Sequence, residues 1–505
     1  MCRVWYNADM DDNGGNGGNG GNGGNVGNGG NGGYRSPLSG RYASRQMQEI
    51  WSERRKIGTW RRLWLALAQG QRELGLEISS DQIAQLEKSL DNIDFATAAE
   101  YEKEFRHDVM AHVHALGDIA PEARPIIHLG ATSQFVNCNT EMLQLRDATR
   151  LIAIKVAKVI DSLGSFAKKH RSLPTLGFTH YQPAQPTTVG KRATIWAQDF
   201  ALTLEDIEHR LSTMRFRGIR GATGTQASFL DLFDGDHDKV ETLDQIVTET
   251  MGWPLNKRLS VTGQTYPRIV DAQVLSSMAA VSAAAHKFAT DLRLLANRGE
   301  LEEPFEDKQI GSSAMAYKRN PMRCERICAL ARFVMNMPPN ALQTASVQWM
   351  ERTLDDSANR RIVLPEAFLA LDGLLDVLIN VTSGLIVHEA TIAKNLQTEM
   401  PFLATERLMM EAVATGADRQ DAHETVRGHA IEVARKIKEE GAENDLLERL
   451  SLEPSFASLD LSKVTDPSSF VGRAPSQVDQ FIASVVDPIR EKYSAKQPES
   501  VELRV

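Results

Sequence analysis

Apolar side chains recur at every third or fourth position through the middle of the chain. Met142, Leu145, Ala148, Ile152, Val156, Val159, Leu163 and Phe166 form one stripe, and Ala193, Trp196, Phe200, Leu204, Ile207, Leu211 and Met214 form a second. Val274, Met278, Val281, Ala285, Phe288, Leu292 and Leu295 form a third. Each is the seam of an amphipathic helix about six turns long. A fourth follows Arg361 through Phe368, Leu371, Leu374 or Leu375, Leu378, Val381 and Leu385, with Pro365 placed to kink it near its start. Alternating strand patterns are scarce, and the prolines at 174, 183, 186 and 321 fall between the helical stretches. The spacing predicts an all-α (mainly α) chain built as an elongated bundle. Stripes this wide need more neighbours than one antiparallel pair supplies, so self-association through the bundle is expected.

Composition narrows the function classes. At 505 residues the chain has material for roughly three domains. The balance of 57 Lys+Arg against 66 Asp+Glu gives −9, which argues against a general nucleic-acid or anionic-membrane binder, so any anion site must be local. Cys2, Cys138, Cys324 and Cys328 make no disulfide framework, and no apolar segment follows Met1. A reducing, cytosolic setting is the expectation. The most apolar long window, residues 367–388, is interrupted by Asp372 and Asp376, so no transmembrane helix is expected. From 13 to 33 the chain repeats Asn-Gly-Gly seven times, with Val26 in place of one glycine. Nothing there can be buried, and residues 1–35 read as a disordered tail.

The chemistry concentrates in a few polar, non-periodic segments. Residues 311–326 run from a small Gly311-Ser312-Ser313 loop into a helix start, where Asn320 suits the N-cap and Pro321 the first helical position. Lys318, Arg319, Arg323 and Arg326 crowd positive charge around amides that already favour anions. Two readings stay open: a mobile loop closing over an anionic substrate, or a solvated basic helix start. Residues 177–186 place His180 between two long helices on a segment stiffened by Pro183 and Pro186, which suits proton transfer. Arg106-His107-Asp108 begins a helix, and residues 128–133 share its polar character. His107, His112 and His114 do not share one helix face and lack a completing ligand, so no metal site is expected. Cys324 and Cys328 read as ordinary half-buried thiols. Ser357 and Arg361, four apart on one helix face, can hold a phosphate; the alternative is a surface ion-pair network. Gly218, Gly221 and Gly224 lack the strand and the Gly-Lys-Ser/Thr ending of a phosphate loop.

Residues 311–321 resemble the signature of the fumarase/aspartase superfamily of lyases. Residues 106–112, 177–192, 262–266 and 343–361 are similar to the animal-type adenylosuccinate lyases, in the right order, and the resemblance runs from about Ser36 to near the C-terminus. It implies a three-domain subunit: a helical domain at 36–131, a central long-helix bundle with the catalytic loop at 132–387, and a helical domain at 388–505. It also implies a cytosolic homotetramer whose active sites each draw on three subunits. The implied reaction, in purine nucleotide biosynthesis, eliminates fumarate from adenylosuccinate to give AMP and from the succinylated aminoimidazole carboxamide ribotide (SAICAR) to give AICAR. No cofactor or metal is implied, and the partners are small-molecule nucleotides rather than nucleic acid or membrane.

Such an elimination must remove a carbon-bound proton, hold a dianionic carbanion and protonate the departing nitrogen. By resemblance Ser312 is the base and His180 the acid. A serine needs a dry, cationic, amide-rich pocket to ionise, and Lys318 and the helix start are placed to provide it once the loop closes. Ser313 is the neighbouring candidate, and the two hydroxyls are not separable from sequence. Glu325 is assigned to orient a histidine, and His107 and His128 to bind or polarise substrate. The resemblance carries binding roles to Arg41, Tyr42, Arg106, Asp108, Thr132, Ser133, Gln264, Asn320, Arg326, Arg352, Ser357 and Arg361. The competing readings are a sister lyase of the superfamily and a non-catalytic helical scaffold; Ser312, His180, Lys318 and Glu325 together speak against the scaffold. One departure stands out: Ala316 occupies a position where the family has proline. Alanine leaves φ free, so the loop is expected to be more mobile and slower to close. Ala316→Pro should therefore alter turnover and lower protease sensitivity within the loop; a variant unchanged in both contradicts this.

Overall fold

The computed structural model describes residues 34–460 and 465–494, so the Asn-Gly-Gly repeat lies outside the described residues. Residues from Pro37 onward form one unit. Its early helices include α1 (Glu53–Glu73), α2 (Phe95–Phe105) and α3 (Asp108–Ile119), and each of these starts at a side chain that accepts from otherwise unsatisfied amides. Ser52 Oγ takes the Arg55 N–H, the Asp94 carboxylate takes those of Ala96 and Thr97, and His107 Nδ1 takes that of Met110.

The apolar stripes become the long helices α4 (Ser133–Lys169), α5 (Val189–Thr213), α6 (Ile269–Asn297) and α9 (Asp356–Ser383). At 37 residues, α4 spans about 55 Å. The stripe residues are buried, Leu211 and Leu385 only in part, and pack on one another in a single apolar core. The shorter α7 (Met322–Met335) and α8 (Met337–Ser346) lie against α6, and α9 runs as one helix through Pro365. Among the described residues the strands form only two antiparallel pairs. These are β1 (Pro174–Thr179) with β2 (Gln182–Thr188), and β3 (Leu301–Glu302) with β4 (Ile386–Val387). Beyond β4, α10 (Glu389–Leu403), α11 (Thr405–Ala414), α12 (Arg419–Glu440) and α13 (Leu446–Ser451) gather around a second apolar cluster that also takes in Leu176 of β1. No helix among the described residues is long and apolar enough to cross a membrane.

Asp372 and Asp376, the charges that interrupted the apolar window, face inward. Lys155 of α4 places its ammonium 2.5 Å from Asp372 and 2.6 Å from Asp376, all three groups being nearly buried. The second oxygen of Asp372 accepts the Ser44 N–H at 2.6 Å. One step along α9 stands Gly373, where a Cβ would lie 2.8 Å from Tyr42, so only glycine admits this contact. Together these hold residues 38–44, including Arg41 and Tyr42, against the bundle. Removing the shared cation strands two carboxylates in the core. Lys155→Met should lower the unfolding free energy by about 3–5 kcal/mol, read by equilibrium urea unfolding at pH 7; a loss below about 1 kcal/mol would show the triad to be dispensable.

Candidate active site

A cavity of about 480 Å³ opens where the first turns of four helices meet. Lys56 comes from α1, Asp108 from α3, Ser133 from α4 and Ser357 from α9, with His107 and Arg361 beside them. Helix N-termini carry partial positive charge, and the starts of α4 and α9 have no side-chain cap, so their convergence favours an anion. Arg106, in the left-handed region at φ 55° as the residue that caps the end of α2, and Arg352 complete the rim. Asp108 Oδ2 accepts from Arg361 Nη2 at 2.7 Å, across 253 residues of sequence. Burial alone would raise the Asp108 pKa; the bond and charge of Arg361 more than offset it and hold the carboxyl below its ordinary value.

The floor is a buried charge network. Arg360 donates through Nε to Asp271 at 2.7 Å, through Nη1 to Glu141 at 3.0 Å, and through Nη2 to the Tyr266 hydroxyl. Tyr266 in turn donates to Asp271 at 2.6 Å, and Arg268 stacks 4.5 Å from the centre of its ring. Arg268 Nε and Arg352 Nη1 share the two oxygens of Asp356, at 2.6 and 2.7 Å, on the first residue of α9. These bonds fix the start of that helix, which carries Ser357 and Arg361. Of this network only Arg352 was a sequence candidate. The adjacent Arg360-Arg361 pair carried a signal for its neighbour, since consecutive helix positions face about 100° apart and only one can face the cavity mouth.

His128 lies nearby in a left-handed conformation at φ 68°. The Trp64 indole, which can only donate, gives its N–H to His128 Nδ1 at 2.9 Å, so the neutral ring carries its proton on Nε2. Burial, and secondarily the charge of His107, lowers its pKa to about 4. His128 is thus a hydrogen-bond donor near neutrality, not a proton shuttle. His107 uses Nδ1 to cap α3 and is among the residues lining the cavity.

The two proposed acid/base residues stand elsewhere on the chain and do not line this cavity. His180 was expected on a proline-stiffened link between helices. It sits instead at the tip of the β1–β2 hairpin, where Thr179 pairs with Gln182 and both turn residues are left-handed, His180 at φ 52° and Tyr181 at φ 56°. Pro183 and Pro186 belong to β2, opposite Phe178 and Leu176. A turn of this type normally takes Asn-Gly, so two bulky residues here hold strain at an exposed tip. Ser312 lies in the loop before α7. Its Oγ accepts the N–H groups of Ala314 and Met315 at 3.3 and 3.1 Å, while Ser313 is exposed. Lys318 is exposed, and its carbonyl packs so tightly on Gly311 that no Cβ would fit there.

Several local expectations are corrected. Asn320 does not cap α7; its side chain donates to the Gly311 carbonyl at 2.7 Å and closes the loop on itself. The helix amides expected to attract anions are taken by the buried Glu303 carboxylate, which accepts from Arg323 N at 3.0 Å and Cys324 N at 2.9 Å. A full negative charge on two amides outcompetes a neutral cap. Cys324 and Cys328 are fully buried rather than half-buried. Within the chain the Glu325 carboxylate faces Arg293 at 3.7 Å rather than a histidine, and Arg326 lies 6.0 Å from the Tyr42 ring, bringing those two candidates together. The Gln264 backbone N–H donates to the Glu351 carbonyl at 3.0 Å, next to Arg352, and Thr132 directly precedes Ser133 at the head of α4. Among the described residues no group of three His, Cys, Asp or Glu side chains is placed to hold a metal ion.

Residues 33–336 match the family described as Lyase, and residues 401–481 the family described as Adenylosuccinate lyase C-terminus. A solved fumarate lyase from a Mesorhizobium species superposes with a TM-score of 0.74 at 26% identity, covering 88% of this chain and 99% of that one. Fold and family match define the class: a mainly α lyase of the fumarase/aspartase superfamily. The adenylosuccinate lyase of Schizosaccharomyces pombe is 51% identical over 89% of this chain and 94% of its own length. That of Saccharomyces cerevisiae is 51% identical over 90% and 95%. The chain belongs to the adenylosuccinate lyase family.

The depressed histidines make a pH prediction. His112, buried beside Arg61 and Lys56, is also lowered to about 4. Both resist protonation in the fold while the unfolded chain accepts protons near pH 6.5. Stability should therefore fall as pH drops from about 6.5 towards about 4, by up to roughly 3 kcal/mol for His128 from 1.36 kcal/mol per unit. His128→Gln should flatten that limb in urea midpoints taken across the range; an unchanged slope contradicts the assignment.

Proposed function

We propose that the chain eliminates fumarate from adenylosuccinate to give AMP, and from SAICAR to give AICAR, in the cytosolic synthesis of purine nucleotides. The observation that carries this reading is the cavity where four helix starts converge with Ser357, Arg361, Arg352, Arg106 and His107, a constellation suited to a phosphate-bearing substrate. His128, neutral with its proton on Nε2, is suited to donating a hydrogen bond to a substrate oxygen.

Ser312 is the base. Two backbone N–H groups already point at its oxygen, and such donors stabilise the alkoxide form, a preference that Ser313 lacks. Lys318 supplies positive charge when the loop closes. His180, presented on a strained hairpin tip, donates the proton to the departing nitrogen. Because neither residue lines the cavity of its own chain, a complete site requires association, and a homotetramer supplies it. Outward apolar side chains on the bundle support that: Ile195 and Leu202 on α5, Ile269 and Leu294 on α6, and Ile362 on α9, with Leu202 55% and Ile362 59% exposed. The three-domain division at 131/132 and 387/388 accompanies this reading, supported by the separate apolar cluster of α10–α13.

The direct test follows the ultraviolet absorbance of adenylosuccinate with the purified chain. AMP and fumarate should form, and Ser312→Ala and His180→Ala should each reduce kcat by about 10²-fold or more. No turnover by the well-folded native protein, or variants retaining most of it, would overturn the proposal.

A further inference from the structure

The cations of the cavity are not equivalent. Arg268, Arg352 and Arg360 are committed to buried carboxylates, and Arg361 engages Asp108 through one nitrogen. Lys56 is different. It lies in the first turn of α1 and lines the cavity together with Ser357 and Arg361, yet it makes no ion pair with any carboxylate among the described residues. Its ammonium rests instead 4.9 Å from the centre of the Trp60 ring, and the side chain is half-buried. Burial, with the nearby charge of Arg361, lowers its pKa, while Asp108, Glu141 and Glu53 oppose this from a distance. A desolvated cation on a cavity wall without a counter-charge is costly unless a ligand provides one.

We propose that Lys56 is a ligand of the substrate's phosphate group, acting with the Ser357 hydroxyl and the Arg361 guanidinium. The inference rests on reading this cavity as the nucleotide site. A compact ammonium, a hydroxyl and the free edge of a guanidinium match the terminal oxygens and double charge of a phosphate better than a singly charged carboxylate. The aromatic ring beneath Lys56 keeps the stem in place without neutralising the head, which leaves the charge for the ligand.

The test uses the full-length assembled protein and exploits the two products, one carrying phosphate and the other only carboxylates. Lys56→Met should raise KM for adenylosuccinate about 10- to 100-fold, the effect of losing one charge-assisted hydrogen bond, with kcat changed far less. The inhibition constant for AMP should rise by a similar factor and that for fumarate should not move. Lys56→Arg should restore much of the AMP affinity. A second measurement needs no variant: AMP, but not adenosine or fumarate, should protect Lys56 of the native protein from amine acetylation, read by peptide mass spectrometry. Unchanged AMP inhibition in Lys56→Met, a shift confined to fumarate, or acetylation of Lys56 indifferent to AMP would overturn the inference. A native protein that bound AMP through Lys56 but did not turn over adenylosuccinate would retain the inference and refute the proposed activity.

Discussion

The buried guanidinium of Arg360 is the constraint around which the site is organised. Taking an arginine fully out of water is tolerable only when its donors are satisfied, and Asp271, Glu141 and Tyr266 together satisfy them. Those three groups come from α6, α4 and the segment just before α6, so meeting the needs of one side chain draws these parts of the chain to the head of α9. Asp356, bonded by Arg268 and Arg352, fixes the same point from the other side. Charges whose net worth to stability is small thereby acquire a geometric role. They set the rotation of α9, and with it the direction of Ser357 and Arg361.

The chain separates holding from reacting. The residues proposed to bind sit mainly at helix starts locked into the bundle, where position is set by packing and ion pairs. The two residues assigned to proton transfer sit on the least supported backbone: His180 on a left-handed hairpin tip, Ser312 in a loop closed mainly by the Asn320–Gly311 bond. Rigid elements suit recognition of a fixed anion, and a loop able to close suits the exclusion of water that an ionised serine needs. Glu303 joins the two regimes. By occupying the first amides of α7 it anchors the exit of the serine loop to the bundle while leaving residues 312–319 at the surface.

What could be read from the sequence, and what could not, follows the range of the forces involved. The long helices were legible because a period near 3.6 is a local signal repeated over many turns, and the buried stripes of α4, α5 and α6 follow it residue by residue. The β1–β2 hairpin was not, because the two prolines of β2 obscure the alternation and the turn is His-Tyr rather than a glycine-containing pair. Asn320-Pro321 carried the local marks of a helix cap, but a carboxylate from 17 residues upstream of Asn320 occupies the amides, and tertiary charge overrides local propensity. For the cavity, polar segments such as 106–108 and 357–361 were recognisable individually, and through the family they resemble. That Asp108 and Arg361 touch is a long-range fact no spacing rule contains. Lys56 carried no signal at all: in the run Arg54-Arg55-Lys56 it reads as one more solvated charge, and only the packing of α1 shows it on a cavity wall.

We propose that cavity, hairpin tip and serine loop form one working site only when chains associate, with the hairpin tip and the serine loop of each site coming from different chains. The most direct measurement is to denature and refold an equimolar mixture of the Ser312→Ala and His180→Ala proteins and assay adenylosuccinate cleavage. If sites draw these residues from different subunits, some sites in mixed assemblies receive both intact residues, and activity should return to a substantial fraction of the native level. A mixture as inactive as its two components, despite verified mixed assembly, would place both residues of each site on one chain and contradict the account.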